Sequence, residues 1–261
     1  IDASGFTVFP YSCLRYTSFQ NIGSRGFAGK PCGVKEEEEG HLFDGKVIPF
    51  AIERSRERTR VSLERDCRET REDFDLRPGL SRGMAGNAAL AIIAALAMGI
   101  DKGAVRERLS AWKAACFRGE SRRSRGKSFF VDCYNANPVA LEDALDAFAF
   151  FAGEGERARL YIIGSMEELG REAPAYHFEA LKKLRLAPDD YVYLIGSGAA
   201  DMERGLRAAG NNTEQWKIIN DLNVVRDRLE FFEGAVFLKG SRRYRLESLL
   251  DAHADEREAA C

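Results

Sequence analysis

The chain has 261 residues, of which 45% are apolar and 31% are charged, with only 7 prolines. That length allows one large domain or two ordinary ones, and the composition excludes disordered, collagenous and mini-protein classes. The 39 Lys and Arg nearly balance the 41 Asp and Glu. No overall basic field would therefore recruit nucleic acid or an anionic membrane.

The longest apolar stretch, Ala88–Met98, is too short to cross a bilayer, which needs roughly 20 apolar residues. We expect a buried helix there and no membrane insertion. The first ten residues have neither a basic n-region nor a long apolar h-region, which favours a cytoplasmic protein. The chain begins with Ile1, and its first residues already resemble the lead-in to a strand. We therefore expect a missing upstream segment.

The first 80 residues are predicted to form mainly strands and turns. A strand is predicted over Phe6–Phe9 and a short helix over Cys13–Ile22, and the like charges of Glu36–Glu39 favour a solvated loop. Further along, extended segments are predicted at Lys46–Ile52, Thr59–Leu63 and Glu72–Leu76. We expect the first two of these to pair antiparallel.

From Leu80 the pattern changes to helices. Ser81 is a predicted N-cap for a helix that runs to about Met98, and a second helix is predicted over Ala104–Trp112. The polar, basic stretch 118–127 (RGESRRSRGK) then interrupts the apolar pattern. It is typical of a solvated connection between domains, the alternative being a surface loop within one domain. We place the predicted domain boundary here, giving domains 1–117 and 118–261.

The remainder of the chain alternates short apolar runs with helix-like segments. Strands are predicted over Phe129–Val131, Leu160–Ile163, Tyr191–Ile195, Trp216–Ile219 and Ala235–Leu238, with helices near Val139–Phe151, Glu172–Leu184, Ala199–Ala209, Leu222–Phe232 and Arg245–Ala254. Continuous apolar strands separated by amphipathic helices indicate a mainly parallel sheet covered on both faces. The predicted fold class is α/β.

Ligands of such sheets bind beyond the carboxyl ends of the strands. The run 132–138 (DCYNANP) follows the first strand of this part, and Asp132 there could accept from ribose hydroxyls. An Asx turn with Pro138 opening a helix is an equally good interpretation. The Lys and Arg of 239–242 (KGSR) suit a carboxylate or phosphate, the alternative being surface solubility.

Motifs for metal or phosphate binding are missing from the sequence. The six cysteines form no C-x-x-C pair and the three histidines are far apart, so no metal site is predicted. No G-x-x-x-x-G-K-[ST] phosphate loop occurs either.

Four runs, in the same order along the chain, resemble motifs of the Mur ligase family, most closely its MurF branch. DCYNANP, followed by Ala144-Leu145, is similar to D-S-Y-N-A-N-P. GSMEELG at 164–170, with His177 beyond it, is similar to G-D-M-x-E-L-G…H. KGSR with Leu246-Glu247 is similar to K-G-S-R…M-E, and 87–95 (NAALAIIAA) is similar to the tail of an H-N-x-x-N-A-L-A-A helix.

The resemblance implies the end of a central ATPase domain followed by a Rossmann-like C-terminal domain. The implied reaction adds D-alanyl-D-alanine to UDP-N-acetylmuramoyl-tripeptide in peptidoglycan precursor synthesis. ATP, with Mg²⁺, phosphorylates the peptide carboxylate, and the dipeptide amine attacks the acyl phosphate. The phosphate loop and the metal ligands would belong to a missing N-terminal portion, supplied in cis or in trans.

The resemblance also implies roles for single residues. Arg118 would be catalytic, reaching the terminal phosphate. Asn87 would lie near adenine and Asp132 near the ribose, while Asn135, also assigned to the nucleotide, would line the interdomain cleft with Asn137. The remaining residues would bind the incoming dipeptide, and they are Ser165, Met166, Glu168, Lys239, Ser241 and Arg242.

Two departures from the family pattern keep a second hypothesis open. Gly83-Met84 stand where the family has its H-N pair, and Ser165 stands where it has an acid. The favoured hypothesis is part of a complete ATP-dependent ligase. The alternative is a non-catalytic ligand-binding or partner subunit that has lost the ATPase half.

Overall fold

A computed structural model describes residues 50–55, 57–65, 70–124, 126–153 and 158–251. The chain divides into two compact units, Ile1–Trp112 and Lys113–Cys261. The predictions for Phe6–Phe9, Cys13–Ile22 and Glu36–Glu39 fall outside the described residues. Within the described parts, no helix is both long and apolar enough to cross a membrane.

The described residues of the first unit form a three-stranded antiparallel sheet and two helices. Its strands are β1 (Phe50–Arg54), β2 (Thr59–Arg65) and β3 (Thr70–Leu76), in the order β1-β2-β3, and its helices are α1 (Arg82–Ala97) and α2 (Lys102–Ala111). β1 and β2 pair antiparallel, with Arg54 opposite Thr59, so the predicted pairing is confirmed.

Local sequence explains where α1 begins and ends. The Ser81 side chain accepts from the Met84 backbone N–H at 3.1 Å and caps the first turn. Gly99, at φ +81°, closes the other end in a conformation that other residues rarely adopt. The buried face of α1, including Ile92 and Ile93, packs with Phe74 and the other apolar residues of the sheet.

In the second unit, the residues that the structure describes form a six-stranded sheet with helices on both faces. Its strands are β4 (Glu120–Ser124), β5 (Lys127–Val131), β6 (Arg159–Gly164), β7 (Tyr191–Ile195), β8 (Trp216–Ile219) and β9 (Gly234–Lys239). Its helices are α3 (Pro138–Ala152), α4 (Ala173–Lys182), α5 (Ala199–Ala208), α6 (Asn223–Phe231) and α7 (Ser248–Asp251). The strand order is β4-β5-β9-β6-β7-β8, and all pairs but β4–β5 are parallel. The predicted mainly parallel α/β sheet is therefore confirmed.

Alternation along the strands builds the two core layers. Phe130 faces the layer under α3, α4 and α5, whereas Phe129 and Val131 face the layer under α6 and α7. In the first layer, the Phe130 and Phe237 rings stack with centroids 6.0 Å apart. Each fully buried side chain of this size contributes about 1.5–3 kcal/mol of apolar transfer free energy.

The basic stretch 118–127 is not a connection between domains, so that prediction was wrong. It lies inside the second unit, and Glu120–Ser124 forms the edge strand β4, turning at Gly126 (φ +78°) into β5. The Arg122 guanidinium bonds both oxygens of Glu120, at 2.7 and 3.2 Å. Charged side chains are typical of edge strands because they oppose pairing with another chain. The polar composition of this edge strand is therefore the same as that of a linker, and composition alone could not distinguish the two.

The strand order brings distant parts of the sequence to one edge. β9, the last strand, lies between β5 and β6. The segments that follow these three strands, at 132–138, 239–242 and 164–170, therefore meet at the carboxyl edge of the sheet. This is where open parallel sheets bind their ligands.

Candidate functional site

Backbone hydrogen bonds join the three segments at the carboxyl edge. The Asp132 N–H donates to the Leu238 carbonyl at 2.9 Å, and the Ser241 N–H donates to the Ser165 carbonyl at 3.2 Å. The sheet pairing therefore continues for one residue beyond β5, and the segment after β9 is tied to the segment after β6. The site rests on rigid elements.

A buried ion pair holds the centre of this edge. The Lys239 Nζ lies 2.6 Å from Asp132 Oδ2 and 3.1 Å from the Asn135 carbonyl oxygen. The Lys239 side chain is only 3% exposed and that of Asp132 is 20% exposed. A charge this buried needs such partners, because leaving one unpaired costs several kcal/mol. The pair therefore joins the ends of β5 and β9.

The other Asp132 oxygen anchors the segment before β4. Oδ1 accepts from the Gly119 N–H at 3.1 Å. A carboxylate offers about four acceptor positions, so Asp132 keeps capacity for a ligand hydroxyl beside its two partners. The ribose contact of Asp132 stays a prediction.

Arg118 is exposed and directly precedes Gly119, whose N–H bonds Asp132. Its guanidinium lies over the Tyr134 ring, 4.1 Å from the centroid, and the Tyr134 N–H donates to the Phe117 carbonyl at 3.2 Å. A cation–π contact at an exposed site contributes about 0.5–1 kcal/mol. The ring therefore orients the Arg118 charge and leaves its N–H donors accessible, as a role at a phosphate requires.

The two asparagines of DCYNANP have local partners. The Asn137 side chain caps α3 by accepting from the Ala140 N–H at 2.8 Å, with Pro138 in the first turn. The alternative interpretation of this run, a turn with Pro138 opening a helix, is therefore confirmed. The exposed Asn135 accepts from the Ala136 N–H at 2.8 Å. The ligand roles of both residues stay predictions.

The segment after β6 turns two of its predicted ligand residues inward. Ser165 is fully buried, and its hydroxyl donates to the Ile195 carbonyl and accepts from the Gly198 N–H, both at 2.9 Å. Met166 is 2% exposed. Glu168, by contrast, is exposed, with its backbone at φ +63°. Of these three side chains, the structure presents Glu168 to solvent.

In the segment after β9, the predicted ligand residues Ser241 and Arg242 also differ in exposure. Ser241 is buried, whereas Arg242 is exposed and forms an ion pair with Glu247 at 2.6 Å. The Arg242 guanidinium also lies 5.2 Å from the Phe117 ring centroid. Arg242 therefore links the end of β9 to the segment before β4.

Sequence reasoning missed Tyr244. Its ring covers the strand ends at Gly164 and Gly196, where an added Cβ would collide with it, and its hydroxyl donates to Glu167. Burial, followed by the hydrogen bond to Glu167, raises the pKa of Tyr244 above its ordinary value. Glycines at the ends of two neighbouring strands signal a bulky neighbour, but nothing in the sequence says which residue it is.

The buried thiol of Cys133 is excluded as a nucleophile. Burial, with a smaller contribution from Glu247, raises its pKa to about 12. The thiol therefore stays protonated at neutral pH, whereas the thiolate is the reactive form.

The remaining predicted nucleotide contact, Asn87, belongs to the first unit. It is exposed on α1, and its adenine contact stays a prediction. Across the parts of the chain that the structure describes, no group of three or more His, Cys, Asp or Glu side chains could hold a metal ion.

Comparison with known proteins gives a match over the second unit. Residues 118–242 match the family model described as Mur ligase, glutamate ligase domain. No curated protein matches the chain.

Three similar solved structures share the fold. MurF from Acinetobacter baumannii is 20% identical, with a TM-score of 0.64, over 81% of this chain and 45% of that one. MurF from Thermotoga maritima, in complex with ADP, is 21% identical, with a TM-score of 0.59, over 79% and 45%. The alanine ligase MurC from Thermotoga maritima is 16% identical, with a TM-score of 0.58, over 78% and 45%. The chain thus spans about 45% of the length of these relatives.

Proposed function

We propose that this chain is part of an ATP-dependent amide ligase. The premise is the match of residues 118–242 to the Mur ligase, glutamate ligase domain. The second unit would hold the incoming amine and one side of the nucleotide. The first unit would be the C-terminal part of the central ATPase domain. A site of this kind belongs in the cytoplasm, where ATP and UDP-linked precursors are found.

The observation that carries the proposal is the ion pair of Asp132 and Lys239, together with the anchored segment before β4. The family match begins at Arg118 and includes both partners of the pair. The pair neutralises itself, so the exposed guanidinium of Arg118 supplies positive charge at this edge. A preoriented cation can stabilise the charge on a phosphoryl group in the transition state.

The residues present fit one side of a nucleotide. Asp132, in the second unit, retains acceptor capacity for ribose hydroxyls. ATP, with Mg²⁺, would supply the activated phosphoryl group. The described residues offer no cluster of metal ligands and the sequence holds no phosphate loop. We propose that an N-terminal portion, in cis or in trans, supplies both.

For the substrates, we propose UDP-N-acetylmuramoyl-tripeptide as the acceptor of D-alanyl-D-alanine. The DCYNANP run supports this choice. The fold does not decide it, because MurF and MurC structures have similar TM-scores to this chain. The amine of the dipeptide would attack an acyl phosphate, and phosphate would leave.

A second candidate function is a non-catalytic ligand-binding or partner subunit. It is favoured by Ser165, which stands where the family motif has an acid. Its hydroxyl is occupied by Ile195 and Gly198. A neutral side chain whose hydroxyl already has two hydrogen-bond partners cannot attract an incoming ammonium group as a carboxylate would.

The experiment is a coupled phosphate-release assay on the protein encoded by the complete open reading frame. The substrates are ATP, UDP-N-acetylmuramoyl-tripeptide and an amine, with D-alanyl-D-alanine compared against L-alanine and L-glutamate. We expect phosphate release that depends on D-alanyl-D-alanine, and none from residues 1–261 alone. Release with another amine would overturn the choice of substrate. Binding without turnover in the complete protein would favour the second candidate.

A further inference from the structure

His177 lies inside the second unit and contacts the segment after β6. It is on α4 and only 2% exposed. Its Nε2 accepts from the Met166 backbone N–H at 2.9 Å, and its Nδ1 lies 2.7 Å from the Ala173 carbonyl oxygen. One imidazole therefore joins α4 to the segment that carries Glu168.

The two partners fix the protonation pattern of the ring. A backbone N–H can only donate, so Nε2 must present its lone pair to Met166. A carbonyl oxygen can only accept, so Nδ1 must carry the proton toward Ala173. His177 is thus assigned as the neutral Nδ1–H tautomer, and a doubly protonated ring would lose the bond to Met166.

The ring is held in place from the neighbouring turn as well. An added Cβ at Gly198 would lie 2.5 Å from the His177 imidazole, so only glycine allows this close packing. The Gly198 N–H in turn donates to the Ser165 hydroxyl. The segment after β6 is therefore fixed by α4 at Met166 and by the turn before α5 at Ser165.

Glu167 and Glu168, which follow Met166, have different surroundings. Glu167 accepts from the Tyr244 hydroxyl and lies 3.8 Å from an Arg243 guanidinium nitrogen. Glu168 is exposed, at φ +63°, a conformation that costs a non-glycine residue energy and persists only where its surroundings impose it. Glu168 follows directly on the segment whose backbone is held at Ser165 and Met166.

We propose that His177 is a positioning residue for the incoming amine. As the Nδ1–H tautomer it holds the Met166 amide, and the backbone so fixed directs the Glu168 carboxylate toward the ammonium group of that amine. The role of Glu168 rests on the proposed function. The fixing of the segment by His177 does not.

The first test uses NMR on the full chain and needs no activity. Long-range ¹H–¹⁵N spectra should show a protonated Nδ1 and an unprotonated Nε2 for the ring whose signals vanish in His177→Gln. In His177→Leu, amide exchange over residues 166–169 should accelerate roughly 2- to 10-fold, as loss of one hydrogen bond implies. His177→Gln should restore protection, because its amide can both accept and donate.

The second test uses the complete ligase and steady-state kinetics. His177→Leu should raise the KM for D-alanyl-D-alanine roughly 2- to 10-fold, with the KM for ATP unchanged, and His177→Gln should rescue it. The matched control is Leu181→Val, because Leu181 is buried one turn further along α4. That variant perturbs packing without touching the Met166 bond.

The outcomes separate the two claims. An Nε2–H tautomer, or exchange unchanged in His177→Leu, would overturn the fixing of the segment. An unchanged KM for the amine, or one that rises equally in Leu181→Val, would overturn the positioning role while leaving the ligase intact. If the complete protein forms no amide bond, the proposed function and the role of Glu168 fail together, and the exchange data still decide the role of His177.

Discussion

Replacing Lys239 by methionine tests the buried ion pair that joins β5 and β9. The side chain is 3% exposed, so the substitution leaves Asp132 with one partner, the Gly119 N–H, in a site only 20% open to water. Breaking a fully buried pair costs about 3–5 kcal/mol. Because Asp132 keeps some solvent and one hydrogen bond, we expect Lys239→Met to lower the free energy of unfolding by about 3 kcal/mol.

Urea unfolding followed by tryptophan fluorescence measures this loss. Trp216 is buried in the second unit, and Trp112 belongs to the first. A Trp112→Phe background therefore lets the signal report the second unit alone, which matters because a chain of two units need not unfold in one step.

A double-mutant cycle then isolates the pair. Asp132→Asn in the Lys239→Met background should cost less than Asp132→Asn alone, with a coupling energy of about 0.5–3 kcal/mol. The matched control is Lys183→Met, which breaks an ion pair with Glu142 whose side chains are 73% and 66% exposed. We expect about 0.5 kcal/mol there. Equal losses for Lys239→Met and Lys183→Met, or strictly additive effects in the cycle, would refute the reasoning.

Three further predictions concern other parts of the molecule. The hydrogen bond from Arg60 lowers the pKa of Asp75, so the pair stabilises the first unit above about pH 4 and the contribution is lost as the pH falls through the lowered pKa. Acid unfolding monitored by circular dichroism should begin at a higher pH in Arg60→Met. Gly164→Ala should cost about 1–3 kcal/mol in urea unfolding, because its Cβ would lie 2.9 Å from the Tyr244 ring, and Tyr244→Leu should recover part of that loss. Under the proposed function, Arg118→Ala in the protein encoded by the complete open reading frame should lower kcat more than it weakens equilibrium binding of ATP, because the proposed role of its charge is in the transition state.

The second unit could be predicted closely because its signals are local. Continuous apolar runs such as Tyr191–Ile195 are strands with the predicted bounds, and they follow from burial on both faces of a parallel sheet. The stretch 118–127 could not be assigned, since an edge strand and a linker have the same polar composition. Pairing with β5 distinguishes them, and that contact is a property of the folded chain.

For the candidate site, the sequence indicated the segments correctly but not the direction of each side chain. Lys239 and Asp132 lie 107 positions apart, and only the insertion of β9 beside β5 brings them together. Ser165 was predicted to reach the dipeptide, yet the pleat after β6 turns it inward, where its hydroxyl meets Gly198. Side-chain direction beyond a strand depends on the local turn, which has no periodicity to reveal it.

The geometry of this edge also explains how one domain could serve either candidate function. Its interior charges, Lys239 and Asp132, form an ion pair, so neither needs a ligand to balance its charge. Its exposed charges, Arg118 and Glu168, lie on separate segments and have opposite signs, which suits a phosphate and an ammonium group respectively. A binding subunit needs only that pair of charges. A ligase of the proposed function needs in addition a phosphate cradle and a metal ion that neutralise the developing charge, and the described residues offer no cluster of metal ligands.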